Sequence, residues 1–547
     1  MKVSFLNYLK SVSFLLVTSI TLAGCGSKAL VGTPIENTES LPVKVAELDE
    51  AEAKRWGHAD LLTDTIPGMS VERAYEELLP NLKVQEKVIV AVLDSGIDLK
   101  HEDLDGVLWT NKDEVAGNDK DDDNNGFVDD VHGYNFLGES LHENLEYTRI
   151  VRLNLGDSQM QAKALSTLNK ELEEAKANKA RYDQLFSTLE TSDEAVKKYL
   201  GKSTYTAEDL AGIPSDAGLQ QNVGVLQQML GYGAPIDVIK GQIQEGVKYF
   251  DGQVKYHLNK DFDGRTVVGD KPYDINSRGY GNGNPMNRSE DESHGSHVAG
   301  IIAAERGNGL GVDGVADHVQ IMSIRAVPDG DEYDKDIALG IRYAVDNGAR
   351  IINASFGKSF SPNKEWVYEA IKYAAEKDVL FVHAAGNDGL DLDDAANANY
   401  PNDQVFTGPE MADNVITIGS LNDTYGPEMV SAFSNYGLSN VDIFAPGGGI
   451  YSTMPGNEYE FQGGTSMAAP AVSGIAALIL SRYPKLSASQ VKKIIMQSGV
   501  PISIEVNVAG DESAKKPLKA ISRTGKIANA YNALLLADQV SRGKISL

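Results

Sequence analysis

Gly464-Thr465-Ser466-Met467-Ala468-Ala469-Pro470 sets a serine among small residues, immediately before an apolar helical run at 471–479. A serine placed there carries an uncrowded hydroxyl at a helix N-terminus, where unpaired N–H groups favour developing negative charge. Pro470 suits a first turn, since no backbone donor is required of it there. By itself the heptapeptide is equally a tightly packed helix start. Working outward, two other segments supply what a serine needs in order to react. Val88-Ile89-Val90-Ala91-Val92-Leu93 reads as a buried parallel strand and ends on Asp94-Ser95-Gly96. Ligands of open α/β sheets sit at such carboxyl ends. His294-Gly295-Ser296-His297-Val298-Ala299-Gly300 opens a second small-residue helix. Serine becomes a nucleophile when an imidazole takes its proton and a carboxylate orients that imidazole.

The chain order Asp, His, Ser and these three motifs resemble the subtilisin family of serine endopeptidases, the subtilases. The resemblance implies that Asp94 orients the base, His294 is the general base and Ser466 attacks the peptide carbonyl. Residue types alone do not choose His294 over His297; the family pattern does. Ser296 stands where the family usually has threonine, which keeps the hydroxyl. Val379-Leu380-Phe381-Val382-His383-Ala384-Ala385-Gly386-Asn387 is a further buried strand, and the resemblance makes Asn387 the side-chain donor to the oxyanion. His383 reads as a core histidine. The ending Ser355-Phe356-Gly357 resembles the family edge that pairs with an extended peptide by strand addition, so polypeptide substrates are expected along Ser355, Phe356, Gly357 and Gly386. Asp388 is either a determinant for a basic residue before the cleaved bond or a solvated turn carboxylate.

Strand-like segments at 319–324, 350–356, 379–384 and 415–419 alternate with helical ones at 336–346, 364–377 and 467–481. Such alternation argues for a mostly parallel sheet covered on both faces. The expected fold is therefore α/β, a three-layer subtilisin-like architecture with a helical insertion. The reading divides the chain into a leader at 1–24, a tether and N-terminal segment at 25–82, a discontinuous catalytic domain at 83–138 and 261–547, and the insertion at 139–260. Ser70 is expected to cap a helix at 71–79, Ser487 a helix at 488–496, and a last helix to span 525–537.

Asp94 and His294 lie about 200 residues apart, several times the separation in compact relatives. Part of that gap is Asp119-Lys120-Asp121-Asp122-Asp123-Asn124-Asn125-Gly126-Phe127-Val128-Asp129-Asp130. Asp121, Asp123 and Asn125 alternate, Gly126 permits a sharp turn and Asp129 returns a carboxylate, a pattern resembling a Ca2+ loop. His132 occupies the position where an EF-hand has its bidentate glutamate, so closure falls to Asp130, Asp119 or water. Asp103 and Asn308 match the neighbourhood of a second calcium site in the family. The rest of the gap is helical. Leu165, Leu168, Leu172, Ala175, Tyr182, Phe186 and Leu189 keep a 3-4 spacing, Thr191 with Glu194 forms a capping box for a next helix, and another helix is expected at 235–257. The insertion is either a helical hairpin that packs on itself and on the catalytic domain, or a lid or partner-docking arm that limits access to the cleft.

Lys2 and Lys10 precede an apolar stretch at 12–23, too short for a mature membrane span and consistent with a signal peptide. Leu22-Ala23-Gly24-Cys25 resembles a bacterial lipobox, implying a lipid anchor on Cys25 in the cell envelope, and Gly26 favours the outer membrane. Cys25 is the chain's single cysteine, which excludes an intramolecular disulfide. The net charge of −28 argues against nucleic acid as a partner. A family member reduced to a binding module would be marked by loss of a triad or oxyanion residue, and Asp94, His294, Asn387 and Ser466 are all present.

Overall fold

The computed structural model describes residues 29–44, 47–404 and 408–547; the leader and Cys25 readings fall outside the described residues. β-Branched runs build the centre. β1 (Val88–Asp94), β2 (Gly133–Asn135), β3 (Val319–Arg325), β4 (Ile351–Ala354), β5 (Leu380–Ala384), β6 (Val415–Leu421) and β7 (Ile443–Pro446) stand in the order β7-β6-β5-β4-β1-β3-β2, all neighbours parallel. The short strands Val500–Pro501 and Lys526–Ile527 extend the sheet beyond β7. The chain moves from β1 to β2 and β3 on one side, then crosses to β4 through β7 on the other. That reversal between β1 and β4 opens the crevice in which α/β sheets bind ligands.

Side chains alternate across the sheet as pleating requires. Val88, Val90 and Val92 of β1 pack with Val298 and Ile302 of the histidine helix (His294–Ala303) and Val472 and Ile475 of the serine helix (Thr465–Arg482). Ala91 and Leu93 face the opposite layer, Ile337 and Ile341 of Asp334–Asp346 and Ile371 of Lys364–Glu376. Three layers result, as expected from the sequence. The serine helix is long and apolar enough to cross a membrane, yet nearly all of it is buried as the core of this fold.

Three local expectations are corrected. Pro470 lies inside the serine helix, past its first turn. Its missing N–H leaves the carbonyl of Ser466 open, and the Ser355 hydroxyl donates to that carbonyl at 2.8 Å. Ser70 does not cap: it is fully buried with φ 54°, and its hydroxyl instead accepts from Asn529 Nδ2 at 2.7 Å. An N-cap takes extended backbone, which this geometry denies. The last helix begins at Ala530, capped by Asn529, because Lys526–Ile527 joins the sheet. Ser487 forms the expected capping box with Gln490.

The insertion carries the helices Glu146–Leu153, Ser158–Leu200 and Ile236–Gly252, the last continuing as a π turn, Gln253–His257. Thr191 and Glu194 form no capping box, since Ser158–Leu200 runs straight through them. Leu189 and Val196 lie on one buried face against Ile236, Ile239 and Ile243, and no glycine or proline intervenes to break the helix. Leu165 is exposed; Ala164 and Leu168 take the buried face instead.

Candidate active site

Each functional side chain stands at the end of a sheet strand or the start of a buried helix. Asp94 closes β1 and is 1% exposed. His294 Nδ1 donates to Asp94 Oδ1 at 2.8 Å, and the Ser95 N–H donates to the same oxygen at 2.7 Å. Among the described residues Asp94 Oδ2 has no hydrogen-bond partner. Burial pulls the His294 imidazole down, and the charge and hydrogen bond of Asp94 more than reverse it, leaving its pKa above the ordinary value. Gly295 permits this approach: a Cβ there would stand 2.2 Å from the Gly96 carbonyl. His297 is excluded as the base by its surroundings. It is fully buried, its Nε2–H is shared between the Ile450 and Glu460 carbonyls, and burial holds its pKa down to about 4.

Ser466 occupies the first turn of its helix, where the backbone N–H groups have no helical partner. Its hydroxyl donates to the Ser355 carbonyl at 3.1 Å. Asn387 is oriented from behind, because its Oδ1 accepts from the Thr465 N–H at 2.9 Å and the Thr465 hydroxyl at 3.0 Å. The acceptor end of the amide is thus occupied and the Nδ2 donors are turned the other way. The same hydroxyl accepts from the Gly386 N–H at 3.0 Å. The sequence reading did not single out Thr465, although it sits beside the serine in the decisive motif.

Ser355, Phe356 and Gly357 continue β4 past its last sheet pairing and line one cleft of about 810 Å3 with Asp94, His294, Asn387 and Ser466. His383 is a buried core histidine held neutral by a pKa lowered to about 4, and its Nε2–H binds the Phe356 carbonyl at 2.9 Å. The Phe356 carbonyl therefore points inward. Gly386 (φ 100°) leaves no room for a side chain: a Cβ would lie 2.4 Å from Asn435 Nδ2. Asn399, absent from the sequence reading, bonds the Ala385 carbonyl at 3.0 Å, and its Oδ1 would be 2.4 Å from a Cβ on Gly357. Asp388 is exposed and outside the residues lining the cleft.

The acidic loop is arranged differently from its sequence pattern. Asp121 accepts the N–H groups of Asn125 and Gly126 at 3.0 and 2.9 Å, which makes the turn. Asp129 faces the other way, onto the N–H groups of Asn118 and Asp119 at 3.1 and 3.0 Å. The carboxylates that converge are Glu114, Asp123 and Asp130, with one oxygen from each lying within 4.8 Å of the others. Asn111 and Asn125 donate their amide N–H groups into this cluster. Among the described residues Glu114 Oε2 is buried with no partner, and burial raises the Asp130 carboxyl to about 6. Three converging carboxylates, one with a buried oxygen left without a partner among the described residues, are hard donors of the kind that suit a calcium ion. Glu114 lies outside the repeating pattern and was missed for that reason. Asp103 and Asn308 do meet, at 2.7 Å, but the Asp103 carboxylate also takes the Val312 N–H at 3.0 Å, so protein donors satisfy it.

The profile described as Subtilase family matches residues 85–519. The Thermophilic serine proteinase of Bacillus sp. (strain AK1) is 37% identical over 247 residues, 45% of this chain and 54% of its own length. Subtilisin DY of Bacillus licheniformis is 32% identical over 269 residues, 48% of this chain and 89% of its own. Thermitase of Thermoactinomyces vulgaris is 36% identical over 211 residues, 38% of this chain and 68% of its own. The chain thus spans about half the length of the first of these relatives.

Proposed function

The chain belongs to the subtilase family, and on that premise we propose that it is a serine endopeptidase working through Asp94, His294 and Ser466. The observation that carries this reading is the His294–Asp94 hydrogen bond of 2.8 Å in the cleft that also holds Ser466 and Asn387. Substrate pairs with the free edge at Gly357, and the Ser466 hydroxyl turns from the Ser355 carbonyl towards His294, which takes its proton. Oγ then attacks the peptide carbonyl. The resulting oxyanion lies between the backbone N–H of Ser466 and the Nδ2 of Asn387. His294 returns the proton to the departing amine, and water releases the acyl group by the same steps in reverse. Covalent labelling with a fluorophosphonate probe tests the reading: modification of Ser466 is expected, and none in folded, calcium-loaded protein overturns it. Replacing Asn387 by alanine should lower kcat by about a hundred- to a thousand-fold, a magnitude whose type case, subtilisin, belongs to this family.

Glu114, Asp123 and Asp130 would hold a structural Ca2+, with Asn111 and Asn125 beside them. The ion would fix the loop ahead of β2, the strand beside β3 at the sheet edge. Tyr343 of the helix Asp334–Asp346 ties that loop inward through a 2.7 Å hydrogen bond to Asp130. At free calcium about a hundred times the dissociation constant, binding adds about 2.7 kcal/mol. Chelation should therefore lower the thermal midpoint by about 2–3 °C, and Glu114→Gln should remove most of the difference. Equal midpoints with calcium and with chelator count against the site.

The envelope anchor rests on the motif around Cys25. Detergent phase partitioning of the protein and of Cys25→Ser checks it: only the former should enter the detergent phase.

A further inference from the structure

One wall of the cleft comes from the insertion. Lys248 and Tyr249 of Ile236–Gly252, with Tyr256 and His257 of the following turn, line the same cavity as Asp94, His294, Asn387 and Ser466. The root of this arm is fixed. His142, ahead of the first insertion helix, stacks on Tyr256 with ring centres 4.0 Å apart and planes 4° from parallel. His142 and His257 both meet Asp329, at 2.6 and 3.1 Å, on the loop that leaves β3. Glu146 bridges Arg149 at 2.6 Å and Lys358 at 2.8 Å, all three buried. Lys358 directly follows the substrate edge at Gly357. Breaking a buried charge network is strongly unfavourable, so this root does not swing.

The mouth is tied differently. Lys248 Nζ meets Asp291 Oδ1 at 2.5 Å, three residues before His294, and both side chains line the cleft. Their exposures are 57% and 69%, and ion pairs so open to water contribute little and separate readily. Tyr249 beside this pair lines the cavity and is 59% exposed, its ring set edge-on against Phe250 with centres 5.0 Å apart. The cleft is therefore walled at its root and strapped at its mouth. An extended strand, needing about 5 Å between its neighbours, enters such a space by its end. A closed loop carries two strands side by side and needs about twice that width.

We propose that Lys248 and Asp291 form a strap that makes the enzyme discriminate for linear, unfolded chain over closed loops, with Tyr249 as the surface the threaded chain lies on. This rests on the peptidase reading above. The test compares kcat/KM for one disulfide-closed peptide and its reduced, alkylated linear form, with active sites counted by fluorophosphonate titration. The proteins are the full chain, Lys248→Glu, Asp291→Lys and the exchanged pair Lys248→Glu/Asp291→Lys. Each single substitution replaces attraction by repulsion, so the linear-to-closed ratio should fall roughly three- to five-fold. The exchanged pair should restore it. An unchanged ratio across all four proteins overturns the strap, as does a fall that the exchange does not repair. A wild-type protein that fails to titrate overturns the peptidase reading instead.

Discussion

Replacing Ser466 by alanine should lower kcat about a million-fold, with the fold intact, a magnitude whose type case is again a member of this family. The argument for an intact fold is local. Among the described residues the Ser466 side chain makes one hydrogen bond, to the Ser355 carbonyl at 3.1 Å, and alanine already fills positions 468 and 469 of the same helix. The contact that holds the helix to the substrate edge is the reverse one, Ser355 hydroxyl to Ser466 carbonyl at 2.8 Å, and it survives the substitution. What disappears is the oxygen that attacks. Residual turnover should still exceed the reaction in water by about a thousand- to ten thousand-fold, because Asn387 and the helix N-terminus continue to stabilise the oxyanion. Turnover assays on calcium-loaded protein, with circular dichroism as the check on folding, measure it. Retained activity at more than a hundredth of the parent would mean that another group is the nucleophile.

The sequence exposed those parts of the site that depend on short runs of chain. The run at 88–93 and the small residues around Ser466 each carry a local physical demand: a strand buried on both faces and an uncrowded hydroxyl. Residues that act across space were not legible. Thr465 orients Asn387 from a position 78 residues away in sequence, and nothing in either segment announces the other. Glu114 joins Asp123 and Asp130 only after the acidic loop has turned its Asp129 outward. The same limit explains the errors in the helices. Thr191 and Glu194 have the pattern of a cap, yet burial of Leu189 and Val196 carries the helix past them. Pro470 has the look of a first-turn proline, yet the Ser355 hydroxyl supplies the donor its ring lacks, so the helix extends on both sides of it. The arm presents the same problem at larger scale: its hydrophobic spacing reveals a helical hairpin, whereas its place on the cleft wall depends on the contacts of His142, His257 and Lys248 with the catalytic domain.

Asp94→Asn should reduce kcat about ten thousand-fold and move the acid limb of the remaining activity to lower pH. The loss follows from the hydrogen bond at His294 Nδ1. An aspartate accepts there, which leaves Nε2 free to take the serine proton; an asparagine amide can present its own N–H and favour the other tautomer. The direction of the pH change follows from the balance at the imidazole. Burial depresses its pKa, and the charge and hydrogen bond of Asp94 raise it by more, so the net position is above the ordinary value of about 6.5. His294 acts as a base only when neutral, so kcat/KM in the parent should rise with pH through that elevated pKa and level off above it. Without the Asp94 charge only burial remains, and it favours the neutral ring. The residual activity of Asp94→Asn should accordingly reach its plateau at a pH below that of the parent. A pH profile of kcat/KM for both proteins decides the matter. An acid limb that stays in place would mean that the carboxylate is not what sets the imidazole, and the pairing of Asp94 with His294 would have to be read as structural.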